Sequence, residues 1–293
     1  MKNFIMIGAA GYIAPRHMEA IKKTGNNLIA VHDINDSIGI IDKYFPDALY
    51  FNRYKKFIDF IKTQQIHNNI DFLTVCSPNY MHLEHITLGL KNDIDIICEK
   101  PIVLNPSDLN KIQILEKKYK RKVNCILQLR LNKKLINLRR KITQSKKKNY
   151  KVSIKYVSYR GDWFFKSWKG NISKSGGIAT NIGIHFFDLL FWLFGELKEN
   201  KILLNFKDQV SGNLIMDRAH VDWFVSVKRR DLPINKNSTY RSINIDDKEI
   251  EFSDNFNDLH TLSYIKILED KGFSLNSVNN SIKLCYQIRR YKK

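Results

Sequence analysis

A chain of 293 residues with 43% hydrophobic and 12% aromatic content is long enough and apolar enough to bury a large core, as one large domain or two moderate ones. Its formal charge of +20 invites a nucleic-acid reading, but the lysines are spread along the chain apart from Lys146-Lys147-Lys148, Lys228-Arg229-Arg230 and the tail from Arg289, and no reading module accompanies them. Four isolated cysteines (Cys76, Cys98, Cys125, Cys285) without a C-x-x-C pair read as reduced, buried thiols of a cytoplasmic protein, and neither a signal peptide nor an apolar run of about 20 residues points to a membrane.

Phe4-Ile5-Met6-Ile7 is short enough for a buried strand and empties into Gly8-Ala9-Ala10-Gly11-Tyr12-Ile13-Ala14, a turn followed by a helix start. Glycines at 8 and 11 let backbone N–H groups approach a pyrophosphate, and the positive end of the next helix favours the anion. The expected contacts are Gly8, Ala10, Gly11, Tyr12 and Ile13. Small Ala14 lets that helix, about Arg16 to Thr24, pack on its strand. Ala10 stands where the common dinucleotide pattern has a second glycine, so the turn needs support from downstream. Asp33 gives it: it ends the strand Leu28–Asp33, 22 positions after Gly11, where an acid accepts hydrogen bonds from an adenosine ribose and repels a 2′-phosphate. NAD is therefore expected rather than NADP. Asp36-Ser37 is placed to cap the helix that follows.

A helix at Phe57–Ile61 and a buried strand Phe72–Cys76 lead to the loop Ser77-Pro78-Asn79. The next helix carries His82 and His85 at i, i+3; with no third ligand in view, capping or solvent contact is expected of them, not metal binding. Strand Ile94–Cys98 runs into Glu99-Lys100-Pro101. Such alternation predicts a parallel sheet with ligand sites at its strand ends, where Ser77, Glu99 and Lys100 lie. Lys100, held extended by Pro101, is placed to bond a substrate hydroxyl and take up its proton; an ordinary surface lysine is the alternative.

From about Cys125 the pattern changes to period two, at Val152–Ser158, Val221–Val227 and Ser242–Ile245, which predicts antiparallel strands with one solvated or interface face. A second, α+β domain is expected over 125–293, after a first domain over 1–124. It contains a helix near Ala179 to Phe194, apolar nearly all round and stopped by Gly195, and a terminal helix from Val278 to Tyr291 free to pack on either domain. Asn181, His185 and Asp188 recur on the former at helical spacing. A polar face there is either a hydrogen-bond network or a catalytic one.

The order Gly8-x-x-Gly11-x-x-Ala14, Asp33, Ser77-Pro78-Asn79, Glu99-Lys100-Pro101 and Gly176-Gly177-x-x-x-Asn181-x-Gly183-x-His185-x-x-Asp188 resembles the glucose-fructose oxidoreductase and inositol dehydrogenase family over essentially the whole chain. The resemblance implies an α/β protein: an N-terminal Rossmann domain with a parallel sheet that holds NAD, and a C-terminal α+β domain with a large, mainly antiparallel sheet that pairs subunits into a homotetramer. A sugar is expected between the domains. Lys100 and His185 carry over as the catalytic pair, and Ser77, Asn79, His82, Glu99 and Lys100 join the turn and Asp33 as cofactor contacts. Asn181 stands where many members carry Asp, so an Asp-His dyad is not available; Lys100 and His185 would share the proton work, with Asn181 on a sugar hydroxyl.

The wordings Gly8–His17, Arg160-Gly161-Asp162-Trp163, Ser167-Trp168-Lys169-Gly170 and Thr239-Tyr240-Arg241-Ser242 resemble the family's branch that oxidises a UDP-sugar uronate on the bacterial route to lipopolysaccharide. That implies a substrate site of Lys100, Arg160, Lys169, Thr180, Asn181, His185 and Arg241, with the arginines and Lys169 on the uronate and pyrophosphate charges. No metal and no nucleic acid are expected. A dehydrogenase for another sugar, or an NAD-sensing regulator, would use much of the same pattern.

Overall fold

The computed structural model describes residues 1–253 and 258–291. In chain order the elements are β1 (Asn3–Ile7), α1 (Ala14–Lys23), β2 (Asn27–His32), α2 (Ile40–Tyr44), β3 (Leu49–Phe51), α3 (Tyr54–Gln65), β4 (Phe72–Val75), α4 (His82–Lys91), β5 (Asp95–Cys98), α5 (Pro106–Tyr119) and β6 (Val123–Cys125). There follow α6 (Lys133–Gln144), β7 (Tyr150–Ser158), α7 (Trp163–Lys166), α8 (Ile172–Ser175), α9 (Ile184–Phe194), β8 (Leu197–Asn205), β9 (Gln209–Met216), β10 (Ala219–Ser226), β11 (Thr239–Ile245), β12 (Lys248–Glu251), α10 (Leu259–Leu268) and α11 (Asn279–Arg290).

These elements divide into two compact units. The first is Met1–Gln128 together with Asp258–Val278; the second is the described part of Leu129–Asn257 together with Asn279–Lys293. The 258–278 segment therefore differs from the expected boundaries, which put everything after 124 in the second domain. The reason lies in α10, whose Tyr264 and Ile267 complete the hydrophobic core formed by Phe4, Met18, Leu28, Val31 and Phe72.

In the first unit, six strands run in the order β3-β2-β1-β4-β5-β6, and every pair is parallel. Strands covered by helices on both faces have no polar face, which is why Phe4, Ile5, Met6 and Ile7 are all buried. The strand order reverses between β1 and β4, so their carboxyl ends diverge into the crevice where such sheets bind ligands.

The second unit's six-stranded sheet has the order β12-β11-β7-β10-β9-β8. β7 and β10 alternate over most of their length as expected, while Ser242 and Ile243 on β11 are both buried; β7 and β10 pair in parallel, from Ala219 opposite Tyr150 to Ser226 opposite Val157. The other pairs are antiparallel. Period two records that one face is covered and the other is not; strand direction leaves no trace in it.

The helical run Ile172–Phe194 contains an 18-residue window apolar enough for a membrane span (mean hydropathy 1.4), yet 72% of that window is buried within the protein, where Phe186, Phe187, Leu190 and Phe194 are core residues. α11 stays with this unit, burying Ile282, Leu284 and Ile288.

Candidate active site

The turn after β1 is built by close approach. Gly8 has φ of +89°, and a Cβ on it would lie 2.5 Å from the Cys76 carbonyl carbon and 2.6 Å from the Ser77 nitrogen. Only glycine lets the β1 and β4 loops meet there. The Gly11 N–H donates to the Gly8 carbonyl at 3.1 Å and closes the turn. α1 then starts with no side-chain cap and no acid in its first turn, which leaves its dipole open to an anion. The fit to a pyrophosphate is good. Asp33 faces the same turn: its Oδ2 accepts the Ala10 N–H at 2.9 Å and its Oδ1 the Asn35 N–H at 2.9 Å. Flanking these, Tyr12 and Ile34 are 84% and 88% exposed, apolar surface suited to a flat ring system. Asp36-Ser37 caps no helix, because α2 begins later with Gly39 at its N-cap and no side-chain cap.

The two histidines of α4 are not at the surface. His82 and His85 are buried. His82 Nδ1 lies 2.7 Å from the Pro101 carbonyl oxygen and Nε2 lies 2.8 Å from that of Ser77, and the neutral ring has one N–H to donate to one of them. His85 Nδ1 shares a hydrogen bond of 2.7 Å with Ser77 Oγ. The expected capping or solvent role of this pair is corrected, and the Ser77 hydroxyl and the His82 ring, read as cofactor contacts, are engaged inside the protein. Helical spacing put both on one face but could not say that this face looks inward. Asn79 is buried as well, in a short helical turn at Asn79–Met81.

Burial pushes the pKa of His85 down to about 3, and lowers those of His17 and His82. An unfolded histidine takes up its proton near pH 6.5, so as pH falls from there toward 3 the unfolded state binds protons that the folded state refuses. Over that range His85 removes about 1.4 kcal/mol of stability per pH unit, and His17 and His82 act in the same direction. The melting temperature is expected to drop between about pH 7 and pH 5, and to drop less steeply in His85→Gln; equal slopes would contradict the assignment.

Glu99 departs furthest from expectation. The resemblance makes it a cofactor contact, but its side chain is buried and its oxygens are hydrogen-bonded within the protein. Oε1 lies 3.0 Å from His17 Nε2 on α1 and 3.0 Å from His260 Nε2 on α10, while Oε2 accepts the Lys100 backbone N–H at 3.2 Å. His17 Nδ1 continues to the Tyr264 hydroxyl at 2.9 Å, and that hydroxyl to Thr74 Oγ1 at 3.0 Å. Burial alone would raise the Glu99 pKa, but the two imidazole N–H donors outweigh it and hold the carboxyl well below its usual range. A neutral His17 protonated at Nε2 fits both of its bonds, in keeping with its lowered pKa.

His17, Glu99 and His260 are also a donor set for a metal, and their ligand atoms lie within 4.8 Å of one another, the one such group among the described residues. Both His-to-Glu distances are those of N–H···O bonds, with Oε1 shared between them. This cluster was missed in the sequence. His17 lies in α1, and His260 lies 161 residues from Glu99. The available signal was a histidine and a tyrosine inside the apolar run of α10.

In the second unit, Ala179–Gly183 forms a π turn leading into α9. Asn181 sits in this turn and His185 in the first turn of α9, and both are half-buried. Wide turns of this kind are concentrated at functional sites. Gly176, at φ of +81°, admits the turn closely: a Cβ there would lie 2.6 Å from Thr180 Cβ. Thr180, which the resemblance makes a substrate contact, is buried there.

Asp188 also leaves the polar face. It is buried against Arg130, with Arg130 Nε to Oδ2 at 2.9 Å and Nη2 to Oδ1 at 2.6 Å. Burial raises its pKa against the pull of Arg130. Arg160 follows β7, with its N–H on the Val227 carbonyl. Arg241, on β11 opposite Tyr156, lies at the same end of the sheet, its guanidinium 5.0 Å from the Tyr156 ring centre. Lys169 Nζ lies 5.0 Å from the Trp163 ring centre and 5.5 Å from that of Trp168.

The family model described as "Oxidoreductase family, NAD-binding Rossmann fold" matches residues 2–126, and "Oxidoreductase family, C-terminal alpha/beta domain" matches residues 148–227. Among solved structures, the WlbA (WbpB) dehydrogenase from Thermus thermophilus in complex with NAD and alpha-ketoglutarate is 38% identical, with a TM-score of 0.97 over 100% of this chain and 96% of that one. The same dehydrogenase in complex with NAD and UDP-GlcNAcA gives 37% identity and a TM-score of 0.96 at the same coverage. Glucose-6-phosphate 3-dehydrogenase of Bacillus subtilis (strain 168) is 27% identical over 207 residues, 66% of this chain and 54% of its own length. The chain spans about half the length of the curated relatives it matches.

Proposed function

We propose, from the premise that this chain belongs to the oxidoreductase family with an NAD-binding Rossmann fold and a C-terminal alpha/beta domain, that it oxidises the 3-hydroxyl of UDP-N-acetylglucosaminuronic acid to the 3-keto sugar. The observation that carries this reading is the full-length likeness, at 37% identity, to a dehydrogenase whose complex holds NAD and UDP-GlcNAcA. Its place would be the synthesis of bacterial lipopolysaccharide and O-antigen sugars, in a cytoplasmic homotetramer.

NAD, when bound, accepts the hydride from the sugar carbon. Every other part belongs to this chain. Lys100 or His185 takes the hydroxyl proton, and the Lys100 ammonium steadies the developing alkoxide charge. Asn181 bonds a sugar hydroxyl, and Arg160, Lys169 and Arg241 meet the carboxylate and phosphate charges. The Gly8–Ile13 turn and the α1 dipole hold the pyrophosphate, and Asp33 the adenosine ribose. His82, Glu99 and the Ser77 hydroxyl serve as supports behind these groups. Asp33→Ala is expected to weaken NAD binding about ten- to a hundredfold, the worth of hydrogen bonds to a charged group. It is also expected to narrow the gap to NADP, as parallel fluorescence titrations would read; an unchanged preference for NAD would remove Asp33 from the ribose site.

The deciding experiment incubates the purified protein with NAD and, in parallel, UDP-N-acetylglucosaminuronic acid, glucose 6-phosphate and myo-inositol, following NADH absorbance and the mass of the sugar. Loss of two hydrogens from the UDP-sugar alone is the expected result. Turnover of glucose 6-phosphate alone would reassign the substrate, and tight NAD binding with no turnover would favour a regulator. Adding alpha-ketoglutarate, the acid held by the Thermus relative, separates release of NADH from its reoxidation in place, which would yield 2-hydroxyglutarate.

A further inference from the structure

Lys100 is the first residue beyond the sheet. The Glu99 N–H still donates to the Val75 carbonyl at 3.0 Å and the Ile126 N–H to the Cys98 carbonyl at 3.1 Å. From Lys100 onward side chains hold the backbone: the Lys100 N–H is on Glu99 Oε2, and the Pro101 carbonyl is on His82 Nδ1. The two groups on either side of the lysine are thus pinned by buried polar residues. His82 comes from α4, and Glu99 is held in turn by His17 from α1 and His260 from α10, elements far apart in sequence.

We infer that His17 and His260 are positioning residues for the reaction, acting through Glu99 to fix the main chain of Lys100; this rests on the reading of Lys100 as a proton-transfer group. Oε1 is occupied by the two imidazole N–H groups, which leaves Oε2 for Lys100. Only an ionised carboxylate accepts all three bonds with both oxygens, because a protonated one must turn one oxygen into a donor. Removing either imidazole donor exposes a buried charge and loosens the group that holds the lysine. An apolar trio of the same volume would fill this space at lower cost in desolvation. What the polar trio adds is a fixed acceptor at the Lys100 N–H.

The test is His260→Leu against His260→Gln in the full chain, the second keeping a side-chain N–H of similar reach. In UDP-sugar oxidation His260→Leu is expected to lower kcat about 10- to 100-fold, as loss of a supporting partner does, with KM and NAD affinity little changed. His260→Gln is expected to recover most of the rate. Glu99→Gln, nearly isosteric and so less prone to unfold, is expected to lose kcat as His260→Leu does. Equal kcat in all three, with only the melting temperature lowered, would reduce the cluster to packing and overturn the inference. If the wild type fails to oxidise the sugar, the functional reading fails by itself. Crystal structures of wild type and His260→Leu then decide: a Lys100 main chain displaced from Glu99 Oε2 supports the inference, and an unmoved one overturns it.

Discussion

Lys100→Met is expected to lower kcat for sugar oxidation by about 10²- to 10⁴-fold, the range of a lost acid–base group, while NAD affinity is kept. Methionine matches the length of the lysine stem and removes only its ammonium, so the half-buried site at the end of β5 stays filled. The backbone there is held by groups other than the Lys100 side chain, namely Glu99 Oε2 on its N–H and His82 on the Pro101 carbonyl. The turn, Asp33 and the α1 dipole are untouched. Lys100→Arg sharpens the result: it keeps the positive charge but holds its proton at any working pH. Recovery in Lys100→Arg would mean that charge alone is needed, and continued loss that the proton is. Single-turnover rates beside an NAD titration separate chemistry from binding. A rate near wild type in Lys100→Met would take this residue out of the mechanism.

The second large effect is expected of Gly8→Ala, which should abolish measurable NAD binding and destabilise the protein by about 2–6 kcal/mol. Two costs combine. A non-glycine residue in this backbone region costs about 1–3 kcal/mol, and overpacking against the Cys76–Ser77 peptide adds about 1–3 kcal/mol more. The added methyl would sit 2.5–2.7 Å from three backbone atoms, so no side-chain rotation relieves it. The β1 and β4 loops must part, and the anion cradle parts with them. Gly25→Ala is the control: its φ is +71°, but nothing lies within 4 Å of the new carbon, so it bears strain without a clash. Calorimetric NAD titration together with thermal melts reads both quantities. Normal NAD affinity in Gly8→Ala would mean that the turn is not where the pyrophosphate sits.

The parts of this architecture that are written locally were legible in the chain. The Gly8–Ala14 turn, Asp33 and the apolar strands depend on residues close in sequence, and the structure joins Asp33 to Ala10 directly. What the sequence concealed depends on distance or direction. His82, His85 and Glu99 read as groups facing solvent or cofactor because their partners come from other elements: Pro101 and Ser77 for the histidines, and His17 and His260 for the glutamate. Asn181, His185 and Asp188 share a helical spacing, but the π turn and Arg130 break the set, leaving Asp188 in a buried ion pair. The parallel pairing of β7 with β10 was hidden because residue alternation is the same in either direction.

The placing of α10 and α11 after both sheets has a bearing on synthesis. Tyr264 packs within 5.8 Å of the Phe4 ring and completes the first unit's core, and α11 buries Ile282 and Ile288 in the second. Each unit is therefore sealed by a segment made after both sheets. A nascent chain that has emerged as far as β12 carries every strand of both sheets yet has neither core closed, so contacts across most of the polypeptide must form before either unit is complete. On the ribosome the two units, begun in succession, are then closed one after the other, the first by α10 and the second by α11.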